Sequence, residues 1–149
     1  MESNEVAVTL FIIADQCNNK EFVSTIQDLE TTFGGRITIG CHGLTHRSWS
    51  AWPEDSERFS EDLQQATSIL KHHFHDSFRP WFRAPAGYIS DWMASILSQQ
   101  KYTVDTSVNP SWLVRRKASP SVKKVVESME SSGILERKWK TRFSLPTCG

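Results

Sequence analysis

Net charge is the first thing this sequence does without: seventeen basic and seventeen acidic residues among 149 cancel to zero. So balanced a chain carries no electrostatic footprint for nucleic acid or an anionic membrane, and neither is an expected partner. Long apolar runs are missing as well. The longest, around Val6 to Ala14, is far shorter than the roughly 20 residues a bilayer-crossing helix needs, so no membrane span is expected. It also lacks the charged start and small-residue cleavage site of a secretory signal, which implies a cytoplasmic location if the chain is complete as given. Cysteine is scarce: Cys17, Cys41 and Cys148 are odd in number and share no motif spacing. That excludes a disulfide framework and points to reduced thiols. Histidine ends early, and none follows His75.

What is present reads as one domain with a real core. The apolar fraction is 38% and the charged fraction 23%, far from the composition of disorder. Glu5 to Ala14 is a β-branched and aromatic run, the pattern of a strand buried on both faces. A helix follows over about Lys20 to Phe33, with Phe22, Ile26, Leu29 and Phe33 on one stripe and Gly34-Gly35 as its stop. Arg36 to Gly40 is a second strand, Cys41 to Pro53 a loop, and Glu54 to Phe74 a second helix striped by Phe59, Leu63, Ala66, Leu70 and Phe74. Trp81 to Arg83 is a brief strand closed by the Pro85-Ala86-Gly87 turn. Ser90 caps a third helix, Tyr102 to Asp105 is a fourth strand, Ser119-Pro120 opens a fourth helix, and Ile134 to Phe143 is a last strand. Strand and helix in alternation predict right-handed crossovers and a mainly parallel sheet. In such folds chemistry gathers at the carboxyl ends of the strands. The unusual residues, at positions 41–49, 83–88 and 105–112, fall there.

Two segments stand out. Gly40-Cys41-His42-Gly43-Leu44-Thr45-His46 places two imidazoles four residues apart, on one face of a helical or an extended backbone. Such a pair can close on one divalent ion, each ring supplying a nitrogen at about 2.0–2.1 Å from zinc. Taken alone, the same spacing suits two loop histidines bonded to backbone or water. Phe82-Arg83-Ala84-Pro85-Ala86-Gly87-Tyr88 sets an arginine at a strand end, then a rigid proline and a glycine. That order points a fixed cation and exposed amides at one spot.

Together the two segments resemble the second and third motifs of the polysaccharide deacetylase family, the NodB-homology or carbohydrate esterase 4 type. The likeness runs from about Val6 to the end and is strongest from Gly40 to Tyr88. It implies an incomplete (β/α) barrel, with residues 1–149 as one partial domain. It also implies a metal-dependent hydrolase that removes acetyl groups from the nitrogen or oxygen of a carbohydrate. His42 and His46 would then be two of three protein ligands to a divalent ion, most often zinc. Arg83 would orient the carboxylate acting as general base, and the Ala86 amide would donate to a developing oxyanion. Asp105 resembles the acid that pairs with the arginine. A carbohydrate is the implied substrate. Trp49 and Trp52, just after the histidines, read either as a platform for its rings or as packing over the barrel rim. Tyr88 and Trp112 are further candidates for that contact.

The chain departs from the family pattern in specific places. No adjacent aspartate pair occurs in the sequence, and no late histidine is present to serve as general acid. The chain thus reads as an internal piece of the barrel or a truncated relative. Such a piece would bind zinc weakly, be catalytically poor, and have an unpaired barrel edge through which it could self-associate. Asp15, just past the first strand, is the nearest replacement acid, set against the reading of a turn aspartate that starts a helix. A catalytically inactive, glycan-binding remnant is the competing function. His72, His73 and His75 read as solvated residues in a last helical turn. Cys41 reads as a buried, inert thiol, Trp81 and Trp92 as core, and the basic residues at 115–117 and 137–142 as solvated faces.

Overall fold

Short β-branched and aromatic runs make the longer strands, and Asn19 and Asp55 stand at the starts of the first two helices. The computed structural model describes residues 6–109, 122–138, 141–142 and 145–146. Strand β1 (Val8–Ile12) leads to helix α1 (Lys20–Phe33), β2 (Ile37–Cys41), α2 (Ser56–His73) and β3 (Phe78–Phe82). Helix α3 (Asp91–Gln99), β4 (Val104–Asp105), α4 (Val122–Ser131) and β5 (Leu135–Glu136) follow. These five strands form one sheet in the order β1-β2-β3-β4-β5, and every neighbouring pair is parallel. Sequential parallel strands joined by helices form the wall of an incomplete (β/α) barrel. A separate antiparallel pair, β6 (Thr141–Arg142) and β7 (Leu145–Pro146), follows the sheet.

Capping and periodicity explain the helices. Asn19 caps α1 by accepting the amides of Glu21 and Phe22, which satisfies otherwise orphan donors. Asp55 does the same for α2 through the amide of Arg58. Phe59, Leu63, Ala66 and Leu70 recur at helical spacing and are all buried in α2, as the sequence pattern requires. In α1 only Val23 and Ile26 are buried. Phe33, expected on the buried stripe, is 42% exposed at the helix end, with Arg36 stacked over its ring.

Two strand boundaries differ from expectation for physical reasons. Strand β3 begins at Phe78, three residues before the expected Trp81, although it contains Pro80. Proline has no N–H to give a neighbouring strand, and the sheet accommodates this with an irregularity. Ile39 lies opposite Phe78, Cys41 lies opposite Phe82, and the register shifts between them. The expected last strand from Ile134 to Phe143 is instead the two-residue β5 and a separate β6. Charged residues crowd 136–142 and leave no apolar alternation to sustain a long strand. The expected Ser119-Pro120 helix start, Trp112 and Cys148 lie outside the described residues.

Candidate active site

Four strand ends deliver the site. His42 follows β2, Arg83 follows β3, Asp105 closes β4 and Glu136 closes β5. Backbone bonds lock the first loops together: His42 N–H donates to the Ile12 carbonyl, Ala14 N–H to Gly43, and Asp15 N–H to Leu44. Gly43 is needed in this loop. Its φ is +90°, and a Cβ would sit 3.0 Å from the Thr45 carbonyl oxygen, a combination that suits glycine alone.

His42 is half-buried, and its Nδ1 lies 2.6 Å from the Arg83 carbonyl oxygen. An Nδ1–H donated to a carbonyl fixes the tautomer and ring plane and leaves Nε2 as the lone-pair nitrogen. Burial holds its pKa below the usual histidine value; the Arg83 carbonyl opposes this, while His46 and the Arg83 cation add to it. The neutral ring, the form that ligates metal, is thereby favoured. The His46 ring is exposed and edge-on to His42, with centroids 5.2 Å apart. The two rings are close enough to share one ion as a donor pair, which is fewer protein ligands than a complete zinc site uses. Among the described residues no group of three or more His, Cys, Asp or Glu side chains converges as a metal cluster. Asp15 is exposed, and its carboxylate is engaged by the Asn18 side chain at 2.6 Å.

Arg83 shares a groove of about 350 Å³ with His42, Phe11, Gln16 and Phe22. Its Nε and Nη2 both donate to Thr106 Oγ1, at 3.0 and 2.8 Å. The guanidinium also lies over the Phe11 ring, 4.8 Å from its centroid, a favourable cation–π placement. Phe11 reaches there across Gly40, where a Cβ would meet the ring at 2.6 Å. The expected pairing of Arg83 with Asp105 is not an ion pair within contact distance. Asp105 instead acts as a nearby charge that partly offsets the desolvation of the half-buried guanidinium.

Asp105 is fully buried and serves the turn. Its carboxylate accepts Ser107 N–H at 2.9 Å and Ser107 Oγ–H at 2.6 Å. Ser107 Oγ in turn accepts the Ala84 amide at 2.7 Å. This seats the Pro85–Gly87 turn, in which Ala86 holds a left-handed φ of 57°. A non-glycine residue there costs about 1–2 kcal/mol, which the seat beneath it must offset. Ala86 is exposed and Tyr88 half-buried on the same rim.

The two tryptophans part company. Trp49, a candidate for the sugar platform, is only 4% exposed. It packs edge-on against Phe59 at 5.6 Å and lies 4.3 Å beneath the Arg47 guanidinium. It is a core residue because a one-turn helix at Trp49–Ala51 folds its ring inward. Trp52, just past that turn, is 63% exposed. Of the expected core tryptophans, Trp92 is half-buried and edge-on to Phe59, while Trp81 is half-buried. Cys41 is fully buried, and burial raises its thiol pKa; Cys17 is pushed up to about 11 by burial. In both, burial disfavours the thiolate, the reactive form. Sequence reasoning missed Phe11, Thr106, Ser107 and Glu136. For Glu136 there was a signal: one acid inside the otherwise apolar Gly133-Ile134-Leu135 lead-in.

The parallel strand wall thus brings paired imidazoles and an arginine together at its carboxyl rim. The chain belongs to the polysaccharide deacetylase family, whose model matches residues 1–104. It is similar to a crystal structure from Mycobacterium smegmatis that is itself assigned as a polysaccharide deacetylase, with a TM-score of 0.60 and 14% identity. The match covers 89% of this chain and 58% of that one, so the chain spans less than two thirds of that relative. At such identity the likeness speaks for the fold alone. No curated protein sequence matches. Among the described residues no helix is long and apolar enough to cross a membrane.

Proposed function

We propose that the chain carries the metal-binding and arginine loops of a carbohydrate deacetylase that hydrolyses an acetamide or acetyl ester on a glycan. His42 and His46 would hold a divalent ion, zinc by their chemistry, with further ligands from outside the pair. When bound, that ion polarises an acetyl carbonyl and lowers the pKa of water. The protein's own residues do the rest. Arg83 holds a fixed positive charge over the groove, where a carboxylate or a developing anion gains most from it. The Ala86 amide, in its left-handed turn, is placed to donate to an oxyanion. Trp52 offers an exposed ring on which a sugar face can stack, and Tyr88 a phenol at the same rim.

The observation that carries this reading is the 2.6 Å bond between His42 Nδ1 and the Arg83 carbonyl oxygen. It ties the two motifs into one unit and orients the ring as metal-ligating histidines are oriented. Calorimetric zinc titration tests it. His42→Ala is expected to weaken binding by about 100-fold or more, beyond the 10–100-fold that losing a supporting partner costs. His46→Ala should do likewise. Equal zinc affinity in wild type and both variants would remove the metal from the proposal.

A further inference from the structure

Asp105 and Glu136 stand opposite each other on adjacent parallel strands, so their side chains leave the sheet on the same face. Asp105 has no solvent exposure. Glu136 Oε1 accepts the Val108 amide at 3.4 Å. Its other oxygen, Oε2, is buried and, among the described residues, reached by no N–H or O–H donor. Two neighbouring carboxylates, Asp105 fully buried and Glu136 partly so with Oε2 shielded from water, cannot both be ionised at modest cost. A proton on Glu136 resolves both problems, turning the orphan oxygen into a donor toward Asp105.

We propose that Glu136 is a positioning residue: with Asp105 it forms a one-proton carboxyl pair that, through Ser107, sets the turn carrying Arg83 and Ala86. The proposal rests on the deacetylase reading for the purpose of that turn, but its physical content stands apart from metal or substrate. Each link is a hydrogen bond. Protonated Glu136 donates to Asp105, which keeps a full negative charge and accepts from both the amide and the hydroxyl of Ser107. The Ser107 oxygen, oriented by that donation, receives the Ala84 amide. Gly87 closes against the same segment, since a Cβ there would lie 3.1 Å from the Ser107 carbonyl oxygen.

The neighbouring charges act in the expected sense. Arg83, above β3, favours the ionised form of Asp105; Lys138, just past β5, favours ionisation of Glu136 but is outweighed by burial and by Asp105 itself. Glu136 is therefore pushed up to about 10. If Glu136 loses its proton, two adjacent negative charges must separate, and the Ser107 contacts to the turn shift with them.

The test uses the full chain labelled with ¹³C at glutamate carboxyls and alanine methyls, followed by NMR from acid to alkaline pH. Glu136 is expected to stay protonated at neutral pH, and the Ala84 and Ala86 methyl signals to move with its alkaline midpoint. In Glu136→Gln, whose amide still donates to Asp105, those methyl signals should stay flat over the same range. A Glu136 carboxyl that titrates in the ordinary range near 4.5 would overturn the proposal. So would alanine methyls that ignore its ionisation, or that move identically in the Gln variant. None of these outcomes depends on zinc or on a sugar, so failure here and failure of the metal-site reading are separable.

Discussion

The two rims of the sheet hold similar residues and use them differently. At the carboxyl rim His42 is half-buried, bonded through Nδ1 to Arg83 and edge-on to His46. At the amino rim three histidines crowd the end of α2, where His72 and His73 lie ring to ring at 4.8 Å. They border an open polar cleft of about 540 Å³. Yet the His75 side chain is 88% exposed, against an Asp76 with no burial at all. The rim with more histidines is the rim with less anchoring. What separates His42 from the solvated rings is the fixing of its Nδ1 by the Arg83 carbonyl at a strand end, the arrangement seen in metal-ligating histidines.

Packing should magnify the contrast most. Phe59 is 2% exposed and meets Trp49, Phe82 and Trp92 edge-on, with centroids 5.6, 6.1 and 5.5 Å away. Phe59→Ala is expected to cost about 3–5 kcal/mol, as for other buried aromatics. Phe33, the half-open ring at the amino rim, should cost well under about 1 kcal/mol when truncated. Urea unfolding of both variants decides it, and equal losses would break the contrast between the rims.

Zinc titration sharpens the same comparison next. Against the roughly 100-fold loss expected for His42→Ala, replacing His72, His73 and His75 together should leave the tightest zinc affinity unchanged. A larger effect from the triple variant would move the metal to the wrong rim.

Glycines give a third, smaller contrast. A Cβ at Gly40 would meet the Phe11 ring at 2.6 Å and the Trp81 carbonyl oxygen at 3.2 Å, whereas one at Gly35 meets nothing within 4 Å. Gly40→Ala is expected to destabilise by about 1–3 kcal/mol, the usual cost of overpacking. It should also lift Phe11 off Arg83. Gly35→Ala should be neutral or stabilise by up to about 1 kcal/mol through the unfolded chain. Thermal unfolding of the pair separates these outcomes.

The sequence made some of this legible and hid the rest, for identifiable reasons. Helix α1 was readable because its apolar residues recur at helical spacing and Gly34 marks its end, and α2 because its apolar residues keep that spacing over eighteen residues. The His42–His46 and Arg83 loops were readable because their residue types are rare in that order. Pro80 hid the start of β3, since a proline usually stays out of an internal strand, and only the register shift beside it lets it in. Trp49 stayed open between platform and packing because an exposed ring and a buried knob look alike in sequence; the short helix at Trp49–Ala51 decides for packing. The seat under Arg83 was invisible for another reason: Ser107 and Glu136 gain their meaning from strand neighbours 23 and 31 residues distant from Ala84 and Asp105 respectively.

That seat supplies a test read per unit of pH. An ordinary glutamate ionises near 4.5, while in the fold Glu136 is held up to about 10. A carboxyl whose pKa is raised by folding contributes stability that is complete below the unfolded value and drains as pH climbs toward the folded one. Glu136→Gln has no proton to lose. Between about pH 5 and pH 10 the wild type should therefore lose stability relative to the variant, by at most about 1.4 kcal/mol per pH unit. Because Asp105 shares the same proton, the slope belongs to the pair and does not double. Urea midpoints for both proteins at mildly acidic, neutral and mildly alkaline pH would reveal it. Curves that run parallel would mean Glu136 is already ionised in the fold, leaving the orphan oxygen and the Asp105 contact without their proton.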